Sequence, residues 1–244
     1  MPIPAPLARR STRTIPSQAL LHWRPRDASL VCVSGQTLAL TRAATRVGVD
    51  TNGASFTAVH SMPAWSARTL FDGVAYGGLT TGTADLLSTS VIPAPQTMSG
   101  VIDFVQDGDP GHTAGVATLL SIGGTVATDP FLTVYVQSTY YAVEYQPVSG
   151  GYGATVTRNA TDLTKLVRLR WIWNANGSLQ IGVSLNGGAE TLGGTTPGIT
   201  RVPWVTGSLV RINGTGWSAG MLGWVRSVKM FGGVQSLAQM DALV

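Results

Sequence analysis

Charge is scarce in this chain, with Asp, Glu, Lys and Arg together making up 11% of its 244 residues. Cysteine occurs once, as Cys32 in the apolar run LVCVSG, which excludes an internal disulfide and suits a core thiol better than a reactive one. No apolar stretch reaches the roughly 18 residues that a membrane-spanning helix needs, so no membrane insertion is expected. The opening MPIPAPLARRSTRTIP carries basic residues but lacks the apolar run of a secretory signal. His22, His60 and His112 stand far apart, without metal-ligand spacing and without a nucleophile motif around them. Glutamate occurs only as Glu144 and Glu190, neither with an acidic neighbour two or four positions on. Glycoside hydrolysis needs two carboxylates flanking one bond, so a polysaccharide-degrading enzyme is disfavoured and no catalytic residue is assigned.

What the chain does have is 30 glycines and many Thr and Ser, a composition that favours short strands with tight turns over helices. The clearest element is KLVRLRWIWNANGSLQIGVSLNGG, residues 165–188. Val167, Leu169, Trp171 and Trp173 take every second position, with Arg168 and Arg170 between them, and after NANG the alternation resumes as Leu179, Ile181, Val183 and Leu185. A two-residue turn would put one apolar row in water. The register therefore requires an odd loop, Ala175, Asn176 and Gly177, with Gly177 at positive φ forming a bulge. Trp173 then faces Leu179, Trp171 faces Ile181, Leu169 faces Val183 and Val167 faces Leu185. Burial of these eight side chains contributes on the order of 10 kcal/mol before opposing terms are counted.

Strand-length runs bounded by Gly, Pro, Asp or Asn fall at residues 98–105, 116–122, 131–136, 140–146, 154–158 and 208–213. The pattern predicts an all-β sandwich or jelly roll. Near the end, Ser236 with Gln239 three positions on is a capping-box spacing, and Leu237, Met240 and Leu243 would give a short helix one apolar face.

Charge is also unevenly placed. Residues 1–70 carry eight Arg and two Asp, whereas the remainder is slightly acidic. Pro2, Pro4, Pro6 and Pro16 predict an extended arm over residues 1–20, with Arg9, Arg10 and Arg13 as the residues that dock it on an acidic partner. The basic residues are scattered and lack interleaved aromatics, so direct nucleic-acid binding is not expected. Domain organisation is read as the arm at 1–20, a small β module at 21–64 and a β-sandwich at 65–244.

Two resemblances bear on this reading. Thr41, Arg42, Ala43, Ala44 and Thr45, followed by Val49, Asp50, Gly53 and more loosely by Met62, Pro63 and Ala64, resemble a segment of tailed-bacteriophage virion proteins of the head spike, fibre and tail types. TLFDGVAYGGL, TMSGVIDFV, the long hairpin and the closing GMLGWVRSVKMFGGVQSLAQMDALV resemble concanavalin A-like sandwiches of the laminin-G type. Together they imply a concanavalin A-like jelly-roll sandwich with an extended N-terminal arm and a short C-terminal helix, and a virion structural protein displayed on the virion surface. Its partners would be capsid or tail proteins. Fibres and spikes of that kind imply a homo-oligomer, most simply a trimer, and the low charge density leaves broad surface for subunit contacts. Trp204 and Trp217, in RVPWVTG and GTGWSAG, fit either a subunit contact or a plug at the edge of the core.

The alternative function is a lectin-like module that binds a host-surface glycan. Such sandwiches bind sugars through a few aromatics and amides, and Tyr135, Tyr140, Tyr141, Tyr145 and Tyr152 cluster in sequence. Tyr140, Tyr141, Tyr145 and Tyr152 are the candidate ligand-binding residues; core filling and subunit contact are the competing roles for them. Tyr141 and Tyr145 share one face of their strand and Tyr140 lies on the other. For metal, Asp107 and Asp109 in DGDPGH are candidate Ca2+ ligands, as in some laminin-G-like domains, although a full site needs further oxygens; a plain solvated turn is the other reading. No other cofactor is implied.

Overall fold

The structure is a computed structural model, and it describes residues 19–23, 38–41, 46–49, 55–58, 68–69, 75–79, 86–89, 97–106, 116–123, 131–146, 151–162, 165–194, 209–212 and 223–241. In chain order the strands are β1 (Ala19–Trp23), β2 (Leu38–Thr41), β3 (Arg46–Val49), β4 (Ser55–Ala58), β5 (Arg68–Thr69), β6 (Ala75–Leu79), β7 (Leu86–Thr89), β8 (Met98–Gln106) and β9 (Val116–Gly123). There follow β10 (Phe131–Gln137), β11 (Tyr140–Gln146), β12 (Tyr152–Thr157), β13 (Leu166–Trp173), β14 (Leu179–Leu185), β15 (Thr191–Leu192), β16 (Leu209–Ile212), β17 (Gly223–Gly232) and the helix α1 (Leu237–Asp241).

The strands form two antiparallel sheets facing each other, a jelly-roll sandwich. One is eight-stranded, in the order β15-β14-β13-β8-β17-β6-β5 with β1 also on β17; the other is seven-stranded, in the order β12-β11-β10-β9-β16-β7-β2. Among the described residues, β3 and β4 pair only with each other. Strand β17 holds β8 along one edge, while its other edge takes β6 at residues 223–225 and β1 at residues 228–231. Strand β2 pairs with β7 in the second sheet. Strands β1 and β2 are thus members of the main sheets. Leu21 is buried in the shared core, which explains why: a lone short strand cannot bury its apolar face, and β17 offers it a free edge.

The hairpin of β13 and β14 has the register expected from its alternation, with Trp173 opposite Leu179, Trp171 opposite Ile181, Leu169 opposite Val183 and Val167 opposite Leu185. Gly177 closes the turn at φ 83° and donates its N–H to the Asn174 carbonyl at 3.0 Å. The apolar row points into the sandwich, where Trp173 meets Tyr145 of β11 with ring centroids 4.9 Å apart, and Phe104 of β8 meets the edge of Tyr141 at 6.5 Å. These contacts join the two sheets.

Strand β8 is buried at every residue, because both of its faces are covered. Its inner face carries Met98, Ile102 and Phe104 into the core. On its outer face Val101 packs with Phe231, Ile172 and Met240 of α1, and the carboxylate of Asp103 accepts two hydrogen bonds from Arg168 at 2.8 and 3.2 Å and one from Ser227 at 3.0 Å. The helix is held there by two anchors. Ser99 Oγ donates to the Gly233 carbonyl and accepts from the Gln235 N–H. Ser236 and Gln239 form the expected capping box, each side chain bonding the other's backbone N–H at 3.3 and 2.8 Å.

Candidate functional site

The tyrosines divide by the two-residue period of their strands. Tyr141 and Tyr145 point between the sheets and are 1% and 0% exposed. Neither is available to a ligand, so their expected role as ligand-binding residues is corrected: the face on which they lie is the core face of β11. Tyr140 and Glu144 take the opposite parity and lie half-buried on the outer face of the seven-stranded sheet. Tyr152 stands opposite Tyr145 in the ladder but at the rim, where it is 43% exposed.

Tyr135 of β10 joins Tyr140 and Glu144. The pairing of Tyr135 with Ala142 sets Tyr140 and Glu144 at the two diagonal positions beside it. Its ring meets Tyr140 edge-on at 6.2 Å with an interplanar angle of 67°, and its hydroxyl donates to Glu144 Oε2 at 2.8 Å. Burial pushes the Tyr135 pKa above its ordinary value near 10, and the neighbouring Glu144 carboxylate pushes it the same way. Tyr135 therefore stays a neutral donor at any physiological pH.

Local structure sets this group in place. Opposite the step from Val134 to Tyr135 the ladder shifts, leaving Leu119 as an extra residue on β9; a bulge of this kind re-aims the side chains beside it. On the other flank Arg158, buried at 4% exposure, donates through Nη1 to the carbonyls of Gln137 and Ser138, and its N–H reaches the Thr139 carbonyl. These bonds tie the turn before Tyr140 to the end of β12. Glu144 leans over β12, where Gly153 is its ladder partner and a side chain on Gly151 would collide with its carboxylate.

One row of outward residues runs across five strands of the sheet: Arg211, Ser121, Thr133, Glu144 and Gly153. Arg211, Ser121 and Thr133 are buried, whereas Gly153 is exposed. The accessible end of the row is thus the Tyr135, Tyr140 and Glu144 group, with the exposed Thr155 and Thr157 of β12 beside it.

Concavities lie elsewhere among the described residues. A groove of about 320 Å³ on the outer face of the eight-stranded sheet is lined by Arg168, Arg226, Glu190 and Ser184; the ion pairs of Arg168 with Asp103 and of Arg170 with Glu190 lie along it. A slot of about 160 Å³ lies at the rim between the sheets, where Asp162 accepts from the Tyr141 hydroxyl at 3.4 Å and from the Asn159 N–H at 3.0 Å. Glu144 and Glu190 sit on opposite outer faces of the sandwich, so this pair cannot flank one glycosidic bond.

Arg9, Arg10, Arg13, Asp107 and Asp109 lie outside the described residues, as do Trp204 and Trp217. No group of three or more His, Cys, Asp or Glu among the described residues is arranged to hold a metal ion.

No family model matches the chain, and the curated proteins yield no match either. Solved structures do match. The binding domain of botulinum neurotoxin serotype D/C superposes with a TM-score of 0.60 at 8% identity, over 94% of this chain and 52% of that one. The serotype D binding domain gives 0.58 at 10% identity, over 92% and 50%. The likeness is one of fold. A third structure, with a TM-score of 0.56 at 9% identity over 93% and 50%, belongs to work on the dependence of botulinum neurotoxin type C cell entry on two ganglioside molecules. The chain spans about half the length of the solved structures it matches.

Proposed function

We propose that this chain is a lectin-like binding module that recognises a saccharide on a host surface through the outer face of β10, β11 and β12. The observation that carries the reading is the group formed by Tyr135, Tyr140 and Glu144: two aromatic rings set edge to face beside a carboxylate that one of them already orients. Aromatic rings pack against the C–H faces of a pyranose, and a fixed carboxylate accepts from its hydroxyls. Small and polar neighbours, Gly151, Gly153, Thr155 and Thr157, leave room for a ring to approach. The similarity in fold to receptor-binding domains supports a binding role, and the separation of Glu144 from Glu190 supports a role without catalysis. The test is titration of Tyr140→Ala and Glu144→Ala against an oligosaccharide panel. Each variant should weaken binding about tenfold or more while its melting temperature stays near that of the parent, and unchanged affinity in both would refute the site.

A second reading concerns where the module is carried. The resemblance of residues 41–53 to tailed-phage virion proteins supports a protein displayed on a particle, docked through Arg9, Arg10 and Arg13 to capsid or tail proteins and assembled as a homo-oligomer such as a trimer. Deleting residues 2–18 should then leave the sandwich folded but unable to join the particle, and light scattering of the full chain should report a multiple of the 25.5 kDa protomer. Normal incorporation of the truncated protein would count against it.

A further inference from the structure

We infer that the saccharide this face selects is neutral, and that Glu144 is the residue that rejects acidic sugars; the inference rests on the binding role proposed above and narrows its ligand. Among the described residues, the outward positions of β10, β11 and β12 hold Phe131, Thr133, Tyr135, Gln137, Tyr140, Ala142, Glu144, Gln146, Gly153, Thr155 and Thr157, and Glu144 is the one formal charge. The nearest cation along the same row is Arg211, three strands away and buried. Arg158, though close in sequence to the end of β12, is buried and directs its Nη1 to the turn carbonyls of Gln137 and Ser138.

Among the described residues, the field above this group is therefore that of one carboxylate with no cation of its own face to offset it. A sugar hydroxyl placed there donates to the oxygens of Glu144. A sugar carboxylate or sulfate in the same place meets a like charge. At a separation of about 4 Å with an effective dielectric between that of water and that of a protein surface, the repulsion corresponds to a preference of about tenfold or more. The fixed geometry sharpens this, because the Tyr135 hydroxyl already donates to Oε2 and holds the carboxylate in position. Gly151, where a side chain would collide with that carboxylate, keeps the group open to an approaching ring.

The experiment compares a neutral hexose oligosaccharide series with its uronic-acid counterparts of the same linkage, titrated into the full chain and into Glu144→Gln at low and at moderate salt. The expected result is binding of the neutral series about tenfold or more tighter by the parent, a gap that narrows as salt rises and closes toward parity in Glu144→Gln, with Tyr140→Ala weakening both series alike. Parent protein that binds the uronic series as well as the neutral one, or a gap that survives Glu144→Gln, overturns the selectivity while leaving the binding face in place. Binding of neither series overturns the binding face and the selectivity with it.

Discussion

Gly100 and Trp171 stand opposite each other across the β8 and β13 ladder, and the indole fills the space in which a side chain at position 100 would stand. A Cβ there would lie 2.5 Å from Cζ2 of Trp171 and 2.8 Å from the Lys229 carbonyl oxygen. Because the carbonyl belongs to β17, the strand cannot yield without disturbing the ladder on both of its edges.

Gly100→Ala should therefore destabilise the protein by about 2 kcal/mol through overpacking alone. Trp171→Ala, which empties the same site, should cost about 4 kcal/mol. Arg170, one residue away on the outer face and paired with a partly exposed Glu190, should cost about 1 kcal/mol when changed to Ala. Urea midpoints of the three variants give the ranking, and equal midpoints for Trp171→Ala and Arg170→Ala would contradict the register.

Removing one partner of the ion pair on the outer face of β8 should cost more than neutralising the other. Arg168→Ala leaves the carboxylate of Asp103, 3% exposed, with Ser227 as its donor, whereas Asp103→Asn keeps one acceptor oxygen that Arg168 and Ser227 can share and removes the buried charge. We expect about 2 kcal/mol for the first and about 1 kcal/mol for the second, read from denaturant melts; the reverse order would show that the pair is not what stabilises this face.

Alkaline pH should weaken the fold in a way traceable to two side chains. Burial is the main cause that raises the pKa of both Tyr135 and Tyr141, and Glu144 and Asp162 respectively add to it, while Arg158 opposes the shift at Tyr141. Each folded pKa lies above the unfolded value near 10, so the stabilisation is complete below that pH and is lost as pH rises past it, where the unfolded chain has released protons that the fold retains. The urea midpoint should fall steeply above about pH 10, and less steeply in Tyr135→Phe and Tyr141→Phe. Identical slopes in parent and variants would count against this origin.

The capping box gives a smaller effect. Ser236→Ala removes one of its two bonds and should cost about 1 kcal/mol, seen as faster amide exchange at Met240, whose N–H bonds to the Ser236 carbonyl at 3.0 Å. Unchanged exchange would mean that α1 is held by the Ser99 anchor and Met240 packing without the capping box.

The features legible in the sequence were those written locally. The odd loop at residues 175–177 follows from the parity of two apolar rows, and the capping box from a spacing of three. For the tyrosines, parity separated Tyr140 from Tyr141 and Tyr145, but which side faced the core depended on the strands of the opposite sheet, where Trp173 and Phe104 wait for them. Tyr135 and Glu144 meet across a diagonal of the β10 and β11 ladder. A signal existed there, since a turn at Ser138 and Thr139 brings the two together once the hairpin is drawn. The bulge at Leu119 and the pairing of β1 with β17 left no comparable trace, because neither depends on residues near it in the chain.

The position of β17 also sets the order in which this protein can be made. Its partner strands begin at residues 19, 75 and 98, yet it occupies residues 223–232 between them. While the ribosome extends the chain, β8 has no neighbour on its β17 side and β1 no edge to join, so the backbone groups along those edges stay unpaired until residue 232 has emerged. Closure of the larger sheet is then a late event spanning more than half the chain, a topology that folds slowly and exposes sticky strand edges during the wait.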